Sequence, residues 1–283
     1  MSRFPSLWRE TAAMTTLDFA TTRPAVDRGG RIACWDPVAE CTMVIAKPEA
    51  EPELFAEYHR GAVARYERFG VTDALDTDIA RCADDTALFW AITDLNGRVV
   101  GGVRAKGPLL RPEDAHAVIE WAGQPGESEV REMITKRIPA GVVEMKSAWL
   151  DKEPGGGRHR AKMIARSGCH AMAILGINYC MATTAAHVLE QWRSSGGVVA
   201  PIPATPYPDE RYETKMMWWE LRTFTVHGEA EQVGAIFREL ASIRRSTQAR
   251  RADGLIQPMP ARALYRSPGW SPRRMRQAST LAR

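Results

Sequence analysis

The amino-acid sequence predicts a mixed α/β domain in which antiparallel strands come first and a strand–helix–strand crossover follows. Three observations predict it. Over residues 88–109 two strand-like runs meet at Asn96-Gly97, a dipeptide that is a strong hairpin signal between such runs. Residues 158–177 carry apolar side chains at helical spacing. The segments on either side of that helix, 138–150 and 178–185, predict the two strands of the crossover.

The remaining elements are predicted in chain order from their end signals. A first helix runs from Pro52 to Gly70, because proline suits the first turn of a helix and glycine its end. A short helix at 111–123 has Pro112 near its first turn. Beyond the crossover the sequence predicts a helix at 186–197 that ends in glycine, a strand at 212–224 and a last helix at 229–245.

The domain organisation is predicted from these elements and from the distribution of charge. Residues 1–50 form an N-terminal extension, 51–225 the folded domain, 226–243 a C-terminal helix and 244–283 a basic, flexible tail. The tail holds ten arginines and a single acid, so it carries +9, and the net charge of +4 leaves −5 for the rest. An acidic body argues against a protein that binds nucleic acid as a whole and leaves the tail as an anion-binding arm.

The composition excludes several classes of protein. Hydrophobic residues make up 45% of the chain and charged residues 25%, which is typical of a globular protein. No apolar run reaches about 18 residues, so no transmembrane helix is expected. Glu10 and Asp18 interrupt the N-terminus, which does not resemble a signal peptide. The five cysteines include no CxxC pair and suit reduced thiols, so we expect a cytoplasmic protein.

The start of the predicted central helix combines glycines with basic side chains. The segment contains Gly155, Gly156, Gly157, Arg158, His159, Arg160 and Lys162. The N-terminus of a helix favours an anion, and glycine lets the backbone approach a phosphate closely. The alternative is a solvated loop that binds nothing. The GxxxxGK[ST] spacing of a Walker loop is absent.

Two stretches resemble the GCN5-related N-acyltransferases. Residues 94–109 (DLNGRVVGGVRAKGPL) resemble the central hairpin of that family, in which a turn precedes a glycine pair and an arginine. The run from Glu144 to Gly197 resembles the second half of the acyl-homoserine-lactone synthase branch, with Gly176-Ile177 and Thr183-Thr184 in the matching places. The resemblance covers roughly residues 52–225. It implies a three-layer αβα sandwich with a mixed, mostly antiparallel central sheet.

The sequence departs from this family in two places. Acetyl-CoA-dependent members carry Arg/Gln-x-x-Gly-x-Gly/Ala at the start of the central helix, and PGGGRHRAK does not match that spacing. The synthases carry an arginine three residues after the strand glutamate, where this chain has Ser147. The first departure speaks against an acetyl-CoA-dependent enzyme, and the second against a homoserine-lactone product.

Candidate catalytic residues follow from the chemistry of acyl transfer. Glu144 is an acid in an otherwise apolar predicted strand, so it is a candidate general base, and an ion pair with Arg104 is the structural alternative. Tyr179 and Tyr212 are candidate general acids, with core packing as the alternative. By the resemblance, the strand of Glu144 parts from its neighbour and presents backbone N–H groups to the thioester carbonyl.

Candidate binding residues come mainly from the resemblance. Arg104 matches the hairpin arginine of the synthases and is expected to hold a substrate carboxylate, with an ion pair as the alternative. Asp76 and Asp78 lie where the synthases hold their amino substrate, although an acidic loop can be merely solvated. Trp149 is a further candidate for substrate binding. The phosphate of acyl-CoA or of an acyl carrier protein arm is assigned to Gly155, Gly156, Gly157, Arg158, Arg160 and Lys162.

These observations together predict an N-acyltransferase. The expected reaction moves an acyl group from acyl-CoA or an acyl carrier protein to the amine of a small amino-acid-like substrate. No metal is expected, because HExxH is absent and His159 and His170 match no ligand spacing. Two alternatives remain: an acetyl-CoA-dependent N-acetyltransferase, and a non-catalytic domain whose arginine-rich tail binds nucleic acid or an acidic partner.

Overall fold

A computed structural model describes residues 31–151 and 157–252, with side chains through 245. The strands are β1 (Ile32–Asp36), β2 (Cys41–Ala46), β3 (Thr86–Thr93), β4 (Val99–Lys106), β5 (Val142–Leu150), β6 (Tyr179–Ala185), β7 (Val198–Val199) and β8 (Thr214–Glu220). The helices are α1 (Pro52–Phe69), α2 (Ile79–Asp84), α3 (His116–Glu120), α4 (Glu127–Arg137), α5 (Gly157–Ala165), α6 (Ser167–Leu175), α7 (Leu189–Arg193), α8 (Phe224–His227) and α9 (Ala230–Ala252). The chain divides into two units between Ile243 and Arg244.

The strands form one sheet in the order β1-β2-β3-β4-β5-β6-β8-β7. Every neighbouring pair is antiparallel except β5 and β6, which are parallel and are joined by the crossover through α5 and α6. The mixed, mostly antiparallel sheet and the position of its single parallel pair match the fold predicted for the GCN5-related N-acyltransferases. The predicted fold class is therefore confirmed.

Alternation along the strands divides the core into two layers, one on each face of the sheet. Trp90 and Ile92 point toward α5, α6, α7 and α9, whereas Phe89 and Ala91 point toward α1. Farther along the sheet, the face shared with α1 is covered by α3 and α4. Helices on both faces of one sheet make the predicted three-layer αβα sandwich.

Local end signals place the first helix and the hairpin where the sequence predicts them. α1 begins at Pro52 and ends at Gly70, which adopts the left-handed conformation at φ 63°. In the turn between β3 and β4, Gly97 has φ 80°, and the Asp94 carboxylate accepts hydrogen bonds from the backbone of Asn96 and Arg98 at 2.9 and 3.0 Å. Both predictions are confirmed.

Three parts of the fold differ from the prediction. The segment predicted as an N-terminal extension contains β1 and β2, which pair with each other and extend the sheet beyond β3. The helix predicted over 158–177 is divided at Arg166 into α5 and α6. α4 was not predicted, because it buries only Val130 and Ile134 and has little apolar periodicity.

The division at Arg166 coincides with a buried ionic cluster that ties α9 to the sheet. The guanidinium of Arg166 donates to both carboxylate oxygens of Glu239 at 2.7 and 2.9 Å, to Asp36 at 3.0 Å and to Gln232 at 2.9 Å. His170 Nε2 lies 2.9 Å from the same Glu239 carboxylate. These contacts hold the pKa of Glu239 below its usual range despite its burial. One arginine thus links α9, β1 and the central helices.

Gly61 on α1 leaves room for the indole ring of Trp149 on β5. A Cβ atom at position 61 would lie 2.0 Å from the Trp149 ring. We predict that Gly61→Ala lowers the free energy of unfolding by about 1–3 kcal/mol, because an extra carbon in a packed contact forces neighbouring groups to shift. Urea denaturation measures the change.

The matched control is Gly234→Ala in α9, where the nearest atom to an added Cβ is the flexible end of Arg238 at 3.3 Å. Alanine in a helix interior stabilises by about 0.5–1 kcal/mol relative to glycine, so this control should be neutral or stabilising. Equal effects of the two substitutions would show that the contact with Trp149 is not tight.

Candidate active site

The parallel strands β5 and β6 separate halfway along their length. Their register runs from Val142 opposite Tyr179 to Met145 opposite Ala182 and ends there, although both strands continue. At this point β5 carries a bulge, since Arg104 of β4 pairs with Lys146 and Gly102 pairs with Trp149. The predicted parting of the strand that carries Glu144 is therefore present.

The bulge changes which side chains of β5 face α1. Glu144 lies on the face shared by α1 and α3, and Trp149 packs against α1 on that same face. An even and an odd position share a face because Ser147, at φ 56°, adds a residue to the strand. The hydroxyl of Tyr58 donates to the Ser147 carbonyl at 3.0 Å and holds the bulge against α1.

A cavity of about 530 Å³ occupies the space between the separated strands. It reaches both faces of the sheet, because its walls include Tyr66 of α1 and Glu120 of α3 on one face and Ile164 of α5 and Trp192 of α7 on the other. The separated strands contribute Lys146, Ser147, Ala148, Trp149, Leu150, Thr183, Thr184 and Ala185. The loop before β8 adds Tyr207, Pro208 and Tyr212.

Glu120 supplies a buried carboxylate to this cavity. Its Oε1 accepts hydrogen bonds from Lys146 Nζ and from Thr183 Oγ1, both at 2.9 Å. Its Oε2 is buried and has no hydrogen-bond partner among the described residues. A buried carboxylate oxygen without a partner is costly. It is therefore a position where the N–H of a bound molecule would be stabilised.

His116 and Tyr207 extend the polar cluster around Glu120. His116 Nε2 lies 2.8 Å from the Tyr207 hydroxyl and 3.8 Å from Glu120 Oε1. Burial and the nearby cations, Lys146 first, lower the pKa of His116 to about 3, so its imidazole is neutral near pH 7. Burial raises the pKa of Tyr207 to about 12 and also raises the pKa of Tyr66 on the opposite wall. Both phenols therefore keep their protons near pH 7.

Glu144 is not among the residues that line the cavity, so its predicted role as the base is not supported by position. Its two carboxylate oxygens accept hydrogen bonds from the backbone N–H groups of His116 and Ala117, at 2.7 and 3.0 Å. The side chain is fully buried, and burial raises its pKa. Both oxygens are occupied because the N-terminus of α3 needs acceptors for its free N–H groups. Glu144 thus holds the helix that carries His116 and Glu120.

Arg104 forms an ion pair, which is the structural alternative to its predicted role in binding a substrate carboxylate. Its partner is Asp85 and not Glu144. The buried guanidinium pairs with the Asp85 carboxylate and donates to Thr86 Oγ1 at 3.0 Å. This pairing with Asp85 raises its pKa despite burial. Arg104 does not line the cavity, so its predicted role in holding a substrate carboxylate there is not supported by position.

Asp76 and Asp78 stabilise their own loop and lie outside the cavity walls. Asp76 pairs with the guanidinium of Arg81, at 2.7 Å for its Oδ1, and this hydrogen bond lowers the pKa of Asp76. Asp78 caps α2 by accepting from the backbone N–H groups of Ala80 and Arg81 at 3.0 and 3.2 Å. The Asp76 carboxylate stabilises its own loop, and the Asp78 carboxylate caps a helix. The predicted role of these two residues in substrate binding is therefore not supported by their position.

Tyr179 lies in a different pocket from the other candidates. It begins β6 and lines a smaller cavity of about 220 Å³ with Trp218 and Arg137. The Arg137 guanidinium lies 4.5 Å from the Trp218 ring centroid and 5.4 Å from that of Tyr179. Tyr179 does not line the cavity at the parted strands, so its predicted role as general acid is not supported by position. Trp149, a candidate for substrate binding, and Tyr212, a candidate general acid, both line the larger cavity.

The segment assigned to a phosphate is described only from Gly157 onward, and Gly155 and Gly156 lie outside the described residues. Gly157 is the first residue of α5, with open space around its Cα. Arg158 is exposed, whereas Arg160 is buried. Lys162 pairs with Glu229 and Glu231 at 3.3 and 3.2 Å, which raises its pKa and removes it as a free phosphate ligand.

Metal and thiol chemistry find no support in the described residues. Within residues 31–151 and 157–252, no group of three or more His, Cys, Asp or Glu side chains is arranged to hold a metal ion. The five cysteines are free and buried, and burial raises the pKa of Cys82 to about 11 and of Cys34 to about 12. Such thiols are poor nucleophiles. Among the helices in the described ranges, none is long and apolar enough to cross a membrane.

The structure thus defines an α/β protein of the GCN5-related N-acyltransferase fold with a cavity at its parted strands. The uncharacterized protein Rv1356c of Mycobacterium tuberculosis strain H37Rv is 44% identical over 219 residues, which are 77% of this chain and 83% of that protein. Mb1391c of Mycobacterium bovis, also uncharacterized, matches to the same extent. The chain belongs to the family of these mycobacterial proteins. No protein-family model matches it.

Comparison with solved structures gives more distant likenesses. FeeM, an N-acyl amino acid synthase from uncultured soil microbes, has a TM-score of 0.48 at 13% identity over 68% of this chain and 96% of its own. The acyl-homoserine-lactone synthase LasI has a TM-score of 0.45 at 14% identity over 63% of this chain and 90% of its own.

We predict that Glu144→Gln lowers the free energy of unfolding by about 1–3 kcal/mol. The amide NH₂ of glutamine would face one backbone N–H of α3 and leave that donor unsatisfied. Urea denaturation measures the loss. Glu129→Gln, on an exposed residue of α4, serves as the control and should change stability by less than about 0.5 kcal/mol. Unchanged stability with lost catalysis in Glu144→Gln would return Glu144 to the role of base.

A second prediction concerns pH. Because the pKa of His116 is about 3 in the folded protein, against 6.5 when unperturbed, the unfolded chain binds a proton first as pH falls. Stability from the neutral imidazole is complete above about pH 6.5 and is lost toward pH 3, with a slope of up to about 1.4 kcal/mol per pH unit. Urea midpoints measured across this window for the parent and for His116→Asn should show a smaller slope in the variant.

Carboxylates titrate in the same window, so the difference between parent and variant is the quantity that isolates His116. His187→Asn, on an exposed histidine, is the control for the exchange of a histidine for asparagine. Identical slopes in the parent and in His116→Asn would show that the imidazole titrates normally.

Proposed function

We propose that this protein is an N-acyltransferase that moves an acyl group from an acyl-CoA or acyl carrier protein thioester to the amine of a small amino-acid-like substrate. The observation that carries the proposal is the cavity at the separation of β5 and β6. Glu120 Oε2 is buried in its wall and has no hydrogen-bond partner within residues 31–151 and 157–245. A reaction between two substrates suits a cavity that reaches both faces of one sheet.

The two faces of the cavity differ in chemistry, and this assigns one substrate to each. On the face of α5 and α7 the walls are mainly apolar, with Leu150, Ile164, Val188 and Trp192, and suit an acyl chain. On the face of α1 and α3 they carry Glu120, Tyr66 and Tyr207, which suit a polar amine. The donor's phosphate would lie near Gly157 and Arg158, where α5 begins.

Glu120 is the proposed general base in place of Glu144. The amine nitrogen attacks the thioester carbonyl carbon, a C–N bond forms, and the C–S bond breaks. Glu120 takes the proton that the nitrogen loses. The departing thiolate takes a proton from a phenol of the cavity, for which Tyr66 is the candidate because its raised pKa keeps it protonated.

The bulged strand contributes to the same step. Ser147 and Ala148 line the cavity and stand opposite a single residue of β4, so the bulge takes this part of β5 out of the regular ladder. Backbone N–H groups released in this way would stabilise the oxyanion that forms on the carbonyl during attack. Direct transfer without an acyl-enzyme intermediate agrees with the burial of all five cysteines.

We predict that Glu120→Gln lowers kcat/KM for acyl transfer by about 10²- to 10⁴-fold, the usual contribution of a general base. The assay measures thiol release from acyl-CoA donors, from acetyl to long-chain, and from acyl carrier protein, with product mass as confirmation. Glu190→Gln, on the exposed side of α7, is the control and should keep parental activity. Full activity in Glu120→Gln would eliminate Glu120 as the base, and no turnover of any donor by the parent protein would reject acyl transfer.

A further inference from the structure

We propose that Arg65 binds a carboxylate of the acceptor, so that the acceptor is a zwitterion whose amine faces Glu120. This inference rests on the proposed acyl transfer for the amine's fate, although the binding it describes can be measured without any donor. The sequence predicts that Arg104 on β4 binds this carboxylate. Here the same role is proposed for Arg65 on α1.

Among the residues that the structure describes, the charges in the cavity wall leave one cation available. The charged lining residues in these ranges are Arg65, Glu120 and Lys146. Lys146 donates to Glu120 at 2.9 Å, and attraction to Glu120 and Glu144 raises its pKa despite burial, so its charge is already balanced. Arg65 forms no ion pair with any acidic side chain in the described part of the chain. An anion entering this cavity would therefore find Arg65 as its uncommitted partner.

The contact of Arg65 with Phe69 orients its guanidinium in a way that favours binding of a carboxylate. Its central carbon lies 4.8 Å from the centroid of the Phe69 ring, which also lines the cavity. Contact with a ring uses the face of the guanidinium and leaves the N–H groups at its edge free. Those groups match the two oxygens of a carboxylate. The ring also restricts the side chain, so less entropy is lost when the anion binds.

The opposite charges lie at different depths of the cavity. Phe69, beneath the guanidinium, is 42% exposed and marks the rim, whereas Glu120 is 4% exposed and lies inside. Arg65 and Tyr66 are consecutive on α1 and both line the cavity, so the helix spans from the rim to the polar cluster. A molecule that carries both an amine and a carboxylate would pair each group with an opposite charge. A simple amine would leave Arg65 unpaired.

The test compares matched ligands on matched variants. The parent, Arg65→Ala, Arg65→Lys and Arg68→Ala are titrated calorimetrically with the twenty amino acids, and each amino acid that binds is compared with its decarboxylated amine. Arg68 is the control because it is exposed on the same helix and does not line the cavity. We expect Arg65→Ala to weaken amino-acid binding about 10- to 100-fold and amine binding by less than about twofold. Arg65→Lys should recover part of the loss, and Arg68→Ala should bind as the parent does.

Each outcome has a defined meaning. Equal loss for acid and amine in Arg65→Ala, or no amino acid bound by the parent, overturns the proposal. With an acyl-CoA donor, Arg65→Ala should raise KM for the amino acid with little change in kcat, and an unchanged KM would also overturn it. Amino-acid binding that depends on Arg65 without any turnover would retain the anchor and reject the proposed acyl transfer, so the two failures are distinguishable.

Discussion

The separation of β5 from β6 is the constraint on which the rest of the site depends. Four residue pairs join the two parallel strands, and beyond Met145 and Ala182 each strand follows a different neighbour. β6 remains paired with β8 along its length, while β5 is drawn toward β4 and α1 by its bulge at Ser147. Because a parallel pair in the middle of a sheet is normally continuous, this opening exposes backbone and side chains that would otherwise be covered.

The opening also explains why buried charges are tolerated here. Glu144 and Lys146 are two residues apart on β5, so both face α3, and Glu120 reaches Lys146 from that helix. Removing one member would leave a buried charge without compensation. Glu144 holds the first turn of α3 through backbone hydrogen bonds, and α3 in turn presents its last residue, Glu120, to the cavity. A helix of five residues, too short to be stable alone, can thus position a buried carboxylate in the cavity wall.

Much of the fold is predictable because its signals are local. Pro52 and Gly70 mark the ends of α1, and Asn96-Gly97 marks the turn of the hairpin, irrespective of what surrounds them. β1 and β2 lack comparable signals and become strands by pairing with β3.

The site is less predictable, because it depends on distant contacts. The sequence predicts that Glu144 is an acid that needs a partner, and this partner is the backbone of a helix about thirty residues earlier in the chain. Glu120, in a short predicted helix, has the sequence pattern of a solvated acid. Arg65 and Tyr66 lie in a charged stretch of α1 and look equally ordinary. Only the bulge, which moves Trp149 onto the face of Glu144 and Lys146, brings these residues around one cavity, and no periodicity in the sequence encodes it.

The packing of Trp149 against Gly61 has a consequence for how this family can vary its substrates. Gly61, Arg65 and Phe69 follow one another at intervals of four along a single ridge of α1. Trp149 locks the start of that ridge, both by ring contact and by donating from its indole nitrogen to the Tyr58 carbonyl at 3.1 Å. The distance between this ridge of α1 and the bulged strand is therefore fixed. Relatives that accept larger or smaller molecules would have to change another wall of the cavity, the loop of Tyr207, Pro208 and Tyr212. The register of α1 on the sheet would stay as it is.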